Sequence, residues 1–100
     1  MRITYKRAFA QFVKKASKPF QLAIEDVVLE VLSNPQIGRQ KLGDLKGVFV
    51  YKFSFNQQEY LVAYQLELNN ENVKVIWIEF CQIGPHENFY TQLKRSIRLK

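Results

Sequence analysis

The strongest constraint on the fold is the alternation of residues 48–55, where aromatic side chains occupy every second position. This period of two predicts a strand with one aromatic face, made of Phe49, Tyr51, Phe53 and Phe55. The other face comprises Val48, Val50, Lys52 and Ser54. Such rings could stack on nucleic acid, but a chain of 100 residues needs them in its core. We therefore expect a layer of helices over the aromatic face.

Two stretches before this strand have helical stripes that can form that layer. The first stripe consists of Phe9, Phe12, Val13 and Ala16. A helix start signal follows, with Pro19 suited to a first helical position and Ser17 or Lys18 to the cap. The second stripe consists of Phe20, Ile24, Val27, Val28, Val31 and Leu32. Asn34-Pro35 ends this second helix.

The segments around these stripes add strands and loops. Residues 3–5 are β-prone and predict a short opening strand, and residues 36–46 are polar and predict a surface loop. Two turns and two strands follow the aromatic strand: the turn 56–59, the strand 60–68, the turn 69–72 and the strand 73–83. The strand 60–68 alternates less clearly, as expected when both of its faces are covered.

The end of the chain completes an α+β pattern. Gly84-Pro85 ends the last strand, and the spacing of Phe89, Leu93 and Ile97 predicts a short C-terminal helix. We therefore predict one two-layer α+β domain over residues 1–100. It consists of a short N-terminal strand, two helices on one sheet face, a three-stranded antiparallel meander and the C-terminal helix.

Charge and cysteine usage narrow the class of protein. Fifteen Lys and Arg against nine Asp and Glu give a net charge of +6. This charge favours binding of phosphates, nucleic acid or an acidic protein segment, but an ordinary basic protein can have it as well. The single Cys81 can form no intrachain disulfide, and it has no potential metal ligands near it in the sequence. We therefore predict a buried thiol, no metal and no cofactor. The N-terminal residues contain no uninterrupted apolar stretch as long as that of a signal peptide, and we expect no membrane span. We expect a cytoplasmic protein with no membrane partner.

Three local motifs add to the evidence from the order of elements. Residues 41–52, KLGDLKGVFVYK, contain a Leu-x-Gly step followed by an alternating strand, and residues 60–65 are YLVAYQ. Residues 83–90, IGPHENFY, contain a Gly-x-His-x-x-x-Tyr turn, which Leu93-Lys94-Arg95 follows. In a basic chain with this order of elements, these motifs resemble the RelE/ParE superfamily of toxins from type II toxin–antitoxin systems. The turn is similar to that of the ParE-like or HigB-like subset.

The resemblance implies a toxin that a cognate antitoxin protein neutralises by wrapping around it. It also implies two kinds of target, because members of the superfamily differ in function. RelE-type members cut mRNA on the ribosome, whereas ParE-type members inhibit DNA gyrase. The expected partners are therefore an antitoxin with either the ribosome and mRNA or gyrase.

RNA cleavage without a metal requires removal of the 2′-hydroxyl proton, protonation of the 5′-oxygen and stabilisation of the phosphate. The only histidine, His86, could transfer a proton, and Tyr90 could stack on a base or contact a phosphate. A helix that began at His86 would place His86, Tyr90 and Lys94 on one stripe. The structural alternatives are that the histidine caps or packs the helix and that the tyrosine closes the edge of the core.

Basic residues provide candidate phosphate contacts. Lys52 interrupts an apolar strand, so it is a phosphate clamp if its face meets a cleft by the last helix, and otherwise its stem packs at the rim. The other candidates are Arg39, Lys46, Lys94, Arg95 and Arg98, which in other proteins would form a solvated surface. Glu79 and Glu87 are candidate acid–base partners of His86, although the helix dipole equally explains Glu87.

The sequence departs from the RelE-type pattern at two cationic positions. Strongly active enzymes of that type usually carry arginine where Leu61 stands and in the turn that Pro85 and His86 occupy. Three hypotheses follow. The first is a metal-free, ribosome-dependent mRNA interferase, with His86, Tyr90 and Lys52 as catalytic residues. The second is a non-enzymatic gyrase inhibitor, and the third is an inactive toxin that only binds its antitoxin.

Overall fold

The fold contains three helices and a five-stranded sheet, in a computed structural model that describes residues 1–71 and 74–98, with only the backbone at Arg98. The elements in chain order are β1 (Arg2–Tyr5), α1 (Arg7–Lys15), α2 (Lys18–Ser33), β2 (Arg39–Gln40), one 3₁₀ turn (Gly43–Leu45), β3 (Val48–Phe55), β4 (Gln58–Leu68), β5 (Val75–Pro85) and α3 (Phe89–Arg98). The predicted α+β class and order of elements are confirmed.

The sheet has the strand order β1-β5-β4-β3-β2. The pairs among β3, β4 and β5 are antiparallel, which confirms the predicted meander. Strand β1 lies parallel to β5, with Ile3 opposite Ile78. The prediction of a loop over residues 36–46 is wrong at β2, where Arg39 pairs with Val50. A strand of two residues is too short to show an alternating pattern in the sequence.

Helices α1 and α2 cover the aromatic face of the sheet, as predicted, and form the aromatic core. Its buried members include Phe9, Phe20, Ile24, Val31, Val62, Tyr64, Ile78, Phe80 and Ile83. The rings of Phe20 and Phe55 are stacked with centroids 4.5 Å apart. The Ser17 side chain accepts a hydrogen bond from the Phe20 amide, so Ser17 is the N-cap of α2. The aromatic strand face is therefore core and not a stacking platform.

Helix α3 covers part of the opposite sheet face and forms a second cluster, the α3 core. Phe89 and Leu93 are 1% and 0% exposed and pack in one cluster with Val50 and Ala63. Leu45, from the 3₁₀ turn, belongs to the same cluster. The central strand β4 is consequently buried on both faces, which explains its weak alternation.

A β-bulge in β5 changes which residues face each core. Phe80 and Gln82 pair with consecutive residues of β4, so Cys81 between them is an extra residue. Before the bulge Phe80 lies in the aromatic core, and after it Ile83 does so as well. Gln82 is thereby directed to the other face, where its Nε2 donates to the Phe89 carbonyl over 3.0 Å.

The hairpin between β3 and β4 is tighter than predicted. Its turn consists of Asn56 and Gln57, which both have positive φ, at 52° and 66°. This is the backbone twist that two-residue hairpins favour. Strand β4 therefore starts at Gln58 and not at Tyr60, so Glu59 is a strand residue. The predicted start of β5 at Val73 lies outside the described residues, and the described strand begins at Val75.

A buried tyrosine fixes the loop after α2. The Tyr64 hydroxyl donates to the Pro35 carbonyl over 2.7 Å and accepts from the Gly38 amide over 3.0 Å. A Cβ at Gly38 would lie 2.7 Å from that hydroxyl oxygen, so the close approach requires glycine. Burial raises the pKa of Tyr64, while the bond from Gly38 acts in the opposite sense. No helix in the described ranges is long and apolar enough to span a bilayer.

We predict that Tyr64→Phe lowers the free energy of unfolding by about 1–3 kcal/mol, because it leaves the Pro35 carbonyl and the Gly38 amide without their partner. The raised pKa of Tyr64 also means that its stabilisation is complete below the pKa of an unfolded tyrosine, near 10, and is lost as the pH rises above it. Urea unfolding between about pH 8 and pH 11 should show a steeper loss for the wild type than for Tyr64→Phe.

The control is Tyr60→Phe, which removes a hydroxyl from the same strand whose bond to Gln58 is exposed. It should change stability by less than about 0.5 kcal/mol. Equal effects of the two substitutions would contradict the role given to Tyr64.

Candidate functional site

An open cleft lies where β2, β3, β4 and the start of α3 meet, and we call it the α3 cleft. It has a volume of about 400 Å³. Its lining comprises Ile37, Arg39, Lys41, Val50, Tyr51, Lys52, Leu61, His86 and Tyr90. Helix α3 covers the sheet next to it but leaves Lys52 exposed. The cleft therefore combines an apolar floor with three cationic side chains, an imidazole and a phenol.

His86 lies in the turn between β5 and α3 and not in the helix. The helix begins at Phe89, because Asn88 adopts a left-handed conformation with φ of 62°. The His86 carbonyl accepts a hydrogen bond from the Phe89 amide over 3.2 Å. The predicted helical stripe that starts at His86 is therefore wrong, because His86 lies in a tight turn. Gln82 is hydrogen-bonded to Phe89 at the end of this turn. The imidazole is exposed at the mouth of the cleft.

Tyr90 is partly buried and contacts residues from two sides. Its ring centroid is 5.9 Å from that of His86, with the rings at 74°. The Lys41 Nζ atom lies 5.1 Å from the centroid of the Tyr90 ring, within the range of a cation–π contact. The two predicted residues are therefore neighbours, although they are not on one helical stripe. Lys41 is a site residue that the sequence reasoning missed.

The cationic residues of the cleft come from neighbouring strands. Arg39 is opposite Val50, and the Lys41 amide donates to the Val48 carbonyl over 2.8 Å, so both lie beside β3. Lys52 projects from the same face of β3, and its Nζ is 3.8 Å from a carboxylate oxygen of Glu59. Both side chains of this pair are more than half exposed, at 62% and 58%, so the pair is weak and exchangeable.

The remaining predicted phosphate contacts do not line the α3 cleft. Lys46, Lys94 and Arg95 are exposed on the 3₁₀-turn segment and on α3, and none of them is among the described lining residues. The side chain of Arg98 lies outside the described part of the chain. Of the predicted phosphate contacts, Arg39 and Lys52 line the cleft.

Neither of the two carboxylates predicted as partners of His86 is among the described lining residues of the α3 cleft. Glu79 is opposite Gln65 in the sheet and accepts a hydrogen bond from the Thr4 hydroxyl over 3.3 Å. Glu87 is exposed in the turn. No group of three potential metal ligands of the His, Cys, Asp and Glu types occurs within residues 1–71 and 74–98.

A larger groove, of about 500 Å³, lies between α1 and α2 beside β1. Its lining is mostly apolar, with Phe9, Val13 and Leu22, and Lys14 and Glu25 also line it. The one histidine of the chain is not there, so the groups able to transfer protons near neutral pH lie in the smaller α3 cleft. Chemistry, and not volume, identifies the α3 cleft as the candidate active site.

Comparison with known proteins identifies a family for nearly the whole chain. A family model described as the ParE-like toxin of type II bacterial toxin–antitoxin systems matches residues 3–94. The amino-acid sequence matches no curated protein.

Solved structures show the same fold at low identity. The chain is similar to E. coli RelE carrying two arginine-to-alanine substitutions in the free state, at 17% identity over 99% of this chain and 97% of that one, with a TM-score of 0.68. It is also similar to a chain of the intact E. coli RelBE toxin–antitoxin complex, at 19% identity over 86% and 96% of the two chains, with a TM-score of 0.62. At these identities the likeness concerns the fold.

We predict that Gln82→Met loosens the His86 turn, because it removes the amide that donates to the Phe89 carbonyl while keeping the length of the side chain. The loss of one buried hydrogen bond should cost about 1 kcal/mol. Hydrogen exchange should become faster in α3 and in the turn, but not in α1. The matched control is Gln92→Met, since Gln92 is exposed on α3, and it should leave exchange unchanged. Unaltered protection of α3 in Gln82→Met would refute this role.

Proposed function

The chain belongs to the ParE-like toxins of type II bacterial toxin–antitoxin systems, and within this class we propose that it is a ribosome-dependent mRNA interferase. In this proposal the toxin is a metal-free endoribonuclease that arrests growth by cutting mRNA and that a cognate antitoxin neutralises. The observation that carries the proposal is the convergence of His86, Tyr90 and Lys52 on the α3 cleft.

The three residues have distinct roles in the proposed cleavage. His86 is exposed at the mouth of the cleft and transfers a proton, since histidine changes its charge near neutral pH. Tyr90 packs against His86 with the two rings at 74°, and it supports a base or contacts a phosphate. Lys52 faces the same opening and neutralises the charge that develops on the phosphate.

Further cations extend the phosphate-binding surface beyond the reaction centre. Arg39 and Lys41 line the cleft from β2 and the residue after it. Lys46, Lys94, Arg95 and Arg98 then serve as outer contacts, which position the RNA without reading its sequence. The net charge of +6 supports capture of a polyanion by the whole molecule.

The small size of the cleft supports a dependence on the ribosome. A cleft of about 400 Å³ holds only a short stretch of RNA, and its charged groups are cations that suit phosphates. The ribosome supplies the mRNA in a fixed path and so the orientation that the toxin lacks. The proposed location is accordingly the cytoplasm, where the buried Cys81 thiol also stays reduced.

A cognate antitoxin is the expected protein partner. The similar fold of RelE has been solved both alone and in a toxin–antitoxin complex. For this chain, we propose that an antitoxin binds the toxin and blocks the α3 cleft or its approach to the ribosome.

Inhibition of DNA gyrase is the second candidate function, and two observations favour it. The matching family model is described as ParE-like. Leu61, where strongly active RelE-type enzymes carry arginine, is 4% exposed and contributes an apolar floor to the cleft. A toxin with fewer cations at its centre would act through protein contact, without a chemical step.

Substitution of His86 tests the cleavage proposal. We expect His86→Ala to lower the rate of mRNA cleavage by about 100-fold or more and to relieve growth arrest, because general acid–base catalysis contributes factors of this size. Tyr90→Phe should relieve growth arrest as well if the phenol contacts a phosphate. Circular dichroism should show both proteins folded, since His86 is exposed. Gln11→Ala, on the outer face of α1, is the control. Full toxicity with persisting mRNA cleavage in both variants would exclude this site.

The two candidate functions are separated in a single induction experiment. Primer extension on a reporter mRNA should show new 5′ ends within minutes of toxin expression, while gyrase supercoiling activity from the same cells stays normal. Intact mRNA together with stalled DNA cleavage complexes would instead establish gyrase as the target. Normal growth on expression would indicate an inactive toxin that binds only its antitoxin.

A further inference from the structure

The proposed cleavage requires two proton transfers, but the described lining of the α3 cleft contains one imidazole and no carboxylate. We propose that Glu59 is the general base of this reaction and that His86 is its general acid. This inference rests on the proposed endoribonuclease function and assigns a catalytic residue that the family motifs did not indicate.

The register of the sheet places Glu59 on the face of the cleft. In the β3–β4 ladder Lys52 is opposite Leu61 and Ser54 is opposite Glu59. Residues two apart on a strand share a face, so Glu59 projects on the same side as Leu61, which forms part of the cleft floor.

The neighbouring ladder ends close to both Glu59 and His86. Tyr60 is opposite Pro85, the last residue of β5. Glu59 directly precedes Tyr60 and His86 directly follows Pro85, so the two residues flank the last pair of the ladder. Glu59 therefore contacts Lys52 of β3 on one side and is adjacent to the end of β5, from which His86 leaves the sheet, on the other.

The contact between Glu59 and Lys52 provides a way to release the base. Glu59 Oε2 is 3.8 Å from Lys52 Nζ, and both side chains are mostly exposed. An exposed ion pair of this kind contributes little to stability, so a phosphate can displace the carboxylate from the lysine. Binding of RNA then gives Lys52 a new anionic partner and frees Glu59 to accept a proton.

The sheet leaves room for the phosphate between these groups. Gly84 is opposite Leu61, and a Cβ built at Gly84 would meet no atom within 4 Å. The sheet surface beside Leu61 is thus open at Gly84. The other carboxylates on this sheet face, Glu67 and Glu79, are paired with Trp77 and Gln65 at the far end of β4.

The proposed step conserves atoms and charge. The Glu59 carboxylate takes the proton of the 2′-hydroxyl while the 2′-oxygen forms a bond to phosphorus. The bond from phosphorus to the 5′-oxygen breaks, and the imidazolium of His86 gives its proton to that oxygen. The products are a 2′,3′-cyclic phosphate and a 5′-hydroxyl end, and exchange with water returns both groups to their starting states.

The test uses the full-length protein with ribosomes programmed with a synthetic mRNA, in which the leaving 5′-oxygen at the cleavage site is replaced by sulfur. A thiolate leaves without a general acid because its pKa is far below that of an alcohol. We expect His86→Ala to cleave the oxygen substrate about 100-fold more slowly and the sulfur substrate near the wild-type rate. Glu59→Gln should be slowed about 100-fold on both substrates, because each needs a base.

Two further variants complete the design. Glu67→Gln neutralises another exposed carboxylate of β4, at the far end from the cleft, and should retain the wild-type rate on both substrates. Glu59→Asp keeps a carboxylate on a shorter arm and should recover part of the activity. Thermal unfolding should be unchanged in Glu59→Gln, since the side chain is exposed.

The outcomes distinguish the inference from the function on which it rests. Wild-type cleavage together with a wild-type rate in Glu59→Gln would overturn the assignment of Glu59 but not the nuclease. Recovery of Glu59→Gln on the sulfur substrate would also overturn it, because Glu59 would then act on the leaving group. An intact oxygen substrate with the wild-type protein would overturn both the endoribonuclease and its base.

Discussion

The burial of strand β4 on both faces is the constraint on which the rest of the structure depends. A central strand with Val62 and Tyr64 on one face and Leu61 and Ala63 on the other needs a cover on each side. Helices α1 and α2 supply the first cover and α3 the second. Because α3 is short, it covers only part of its face, and the uncovered part becomes the cleft. The site is thus a consequence of incomplete coverage, and the same packing that stabilises the sheet positions its walls.

The cleft gathers positive charge that the fold must tolerate. Arg39, Lys41 and Lys52 reach it from adjacent strands, and their mutual repulsion is offset locally. Tyr90 offers its ring to one ammonium group, and Glu59 offers a carboxylate to another. Each of these contacts is individually weak. A polyanion can therefore replace them at little cost, which suits a binding surface better than a structural network.

The regular parts of the fold were predictable because their periodic patterns repeat several times. The stripe of α2 and the aromatic alternation of β3 both extend over several repeats, and Asn34 marks a helix end that the structure confirms. The predicted end of the last strand at Gly84-Pro85 is wrong by two residues, because both residues still pair with β4. The irregular parts depend on one or two residues and have no periodic signal. These parts include the two-residue strand at Arg39 and the left-handed turn that starts at Asn56.

The lack of a periodic signal also limited the prediction of the candidate site. His86 and Tyr90 could be named from a motif, and the structure places their rings side by side. Glu59 was missed because a four-residue turn had been expected, which left no strand face to assign to it. Lys41 was missed because it belongs to a polar segment whose pairing is decided by tertiary contacts. The bulge at Cys81 carries a consequence of another kind, which concerns the length of the chain. Loss of Cys81 would make Phe80 and Gln82 consecutive and leave their pairs with Tyr64 and Ala63 unchanged, so Gln82 and the residues after it would keep their present faces. The spacing from Gln82 to His86 is therefore what descent must preserve, whereas the spacing from Phe80 to His86 can shorten by one residue during evolutionary divergence.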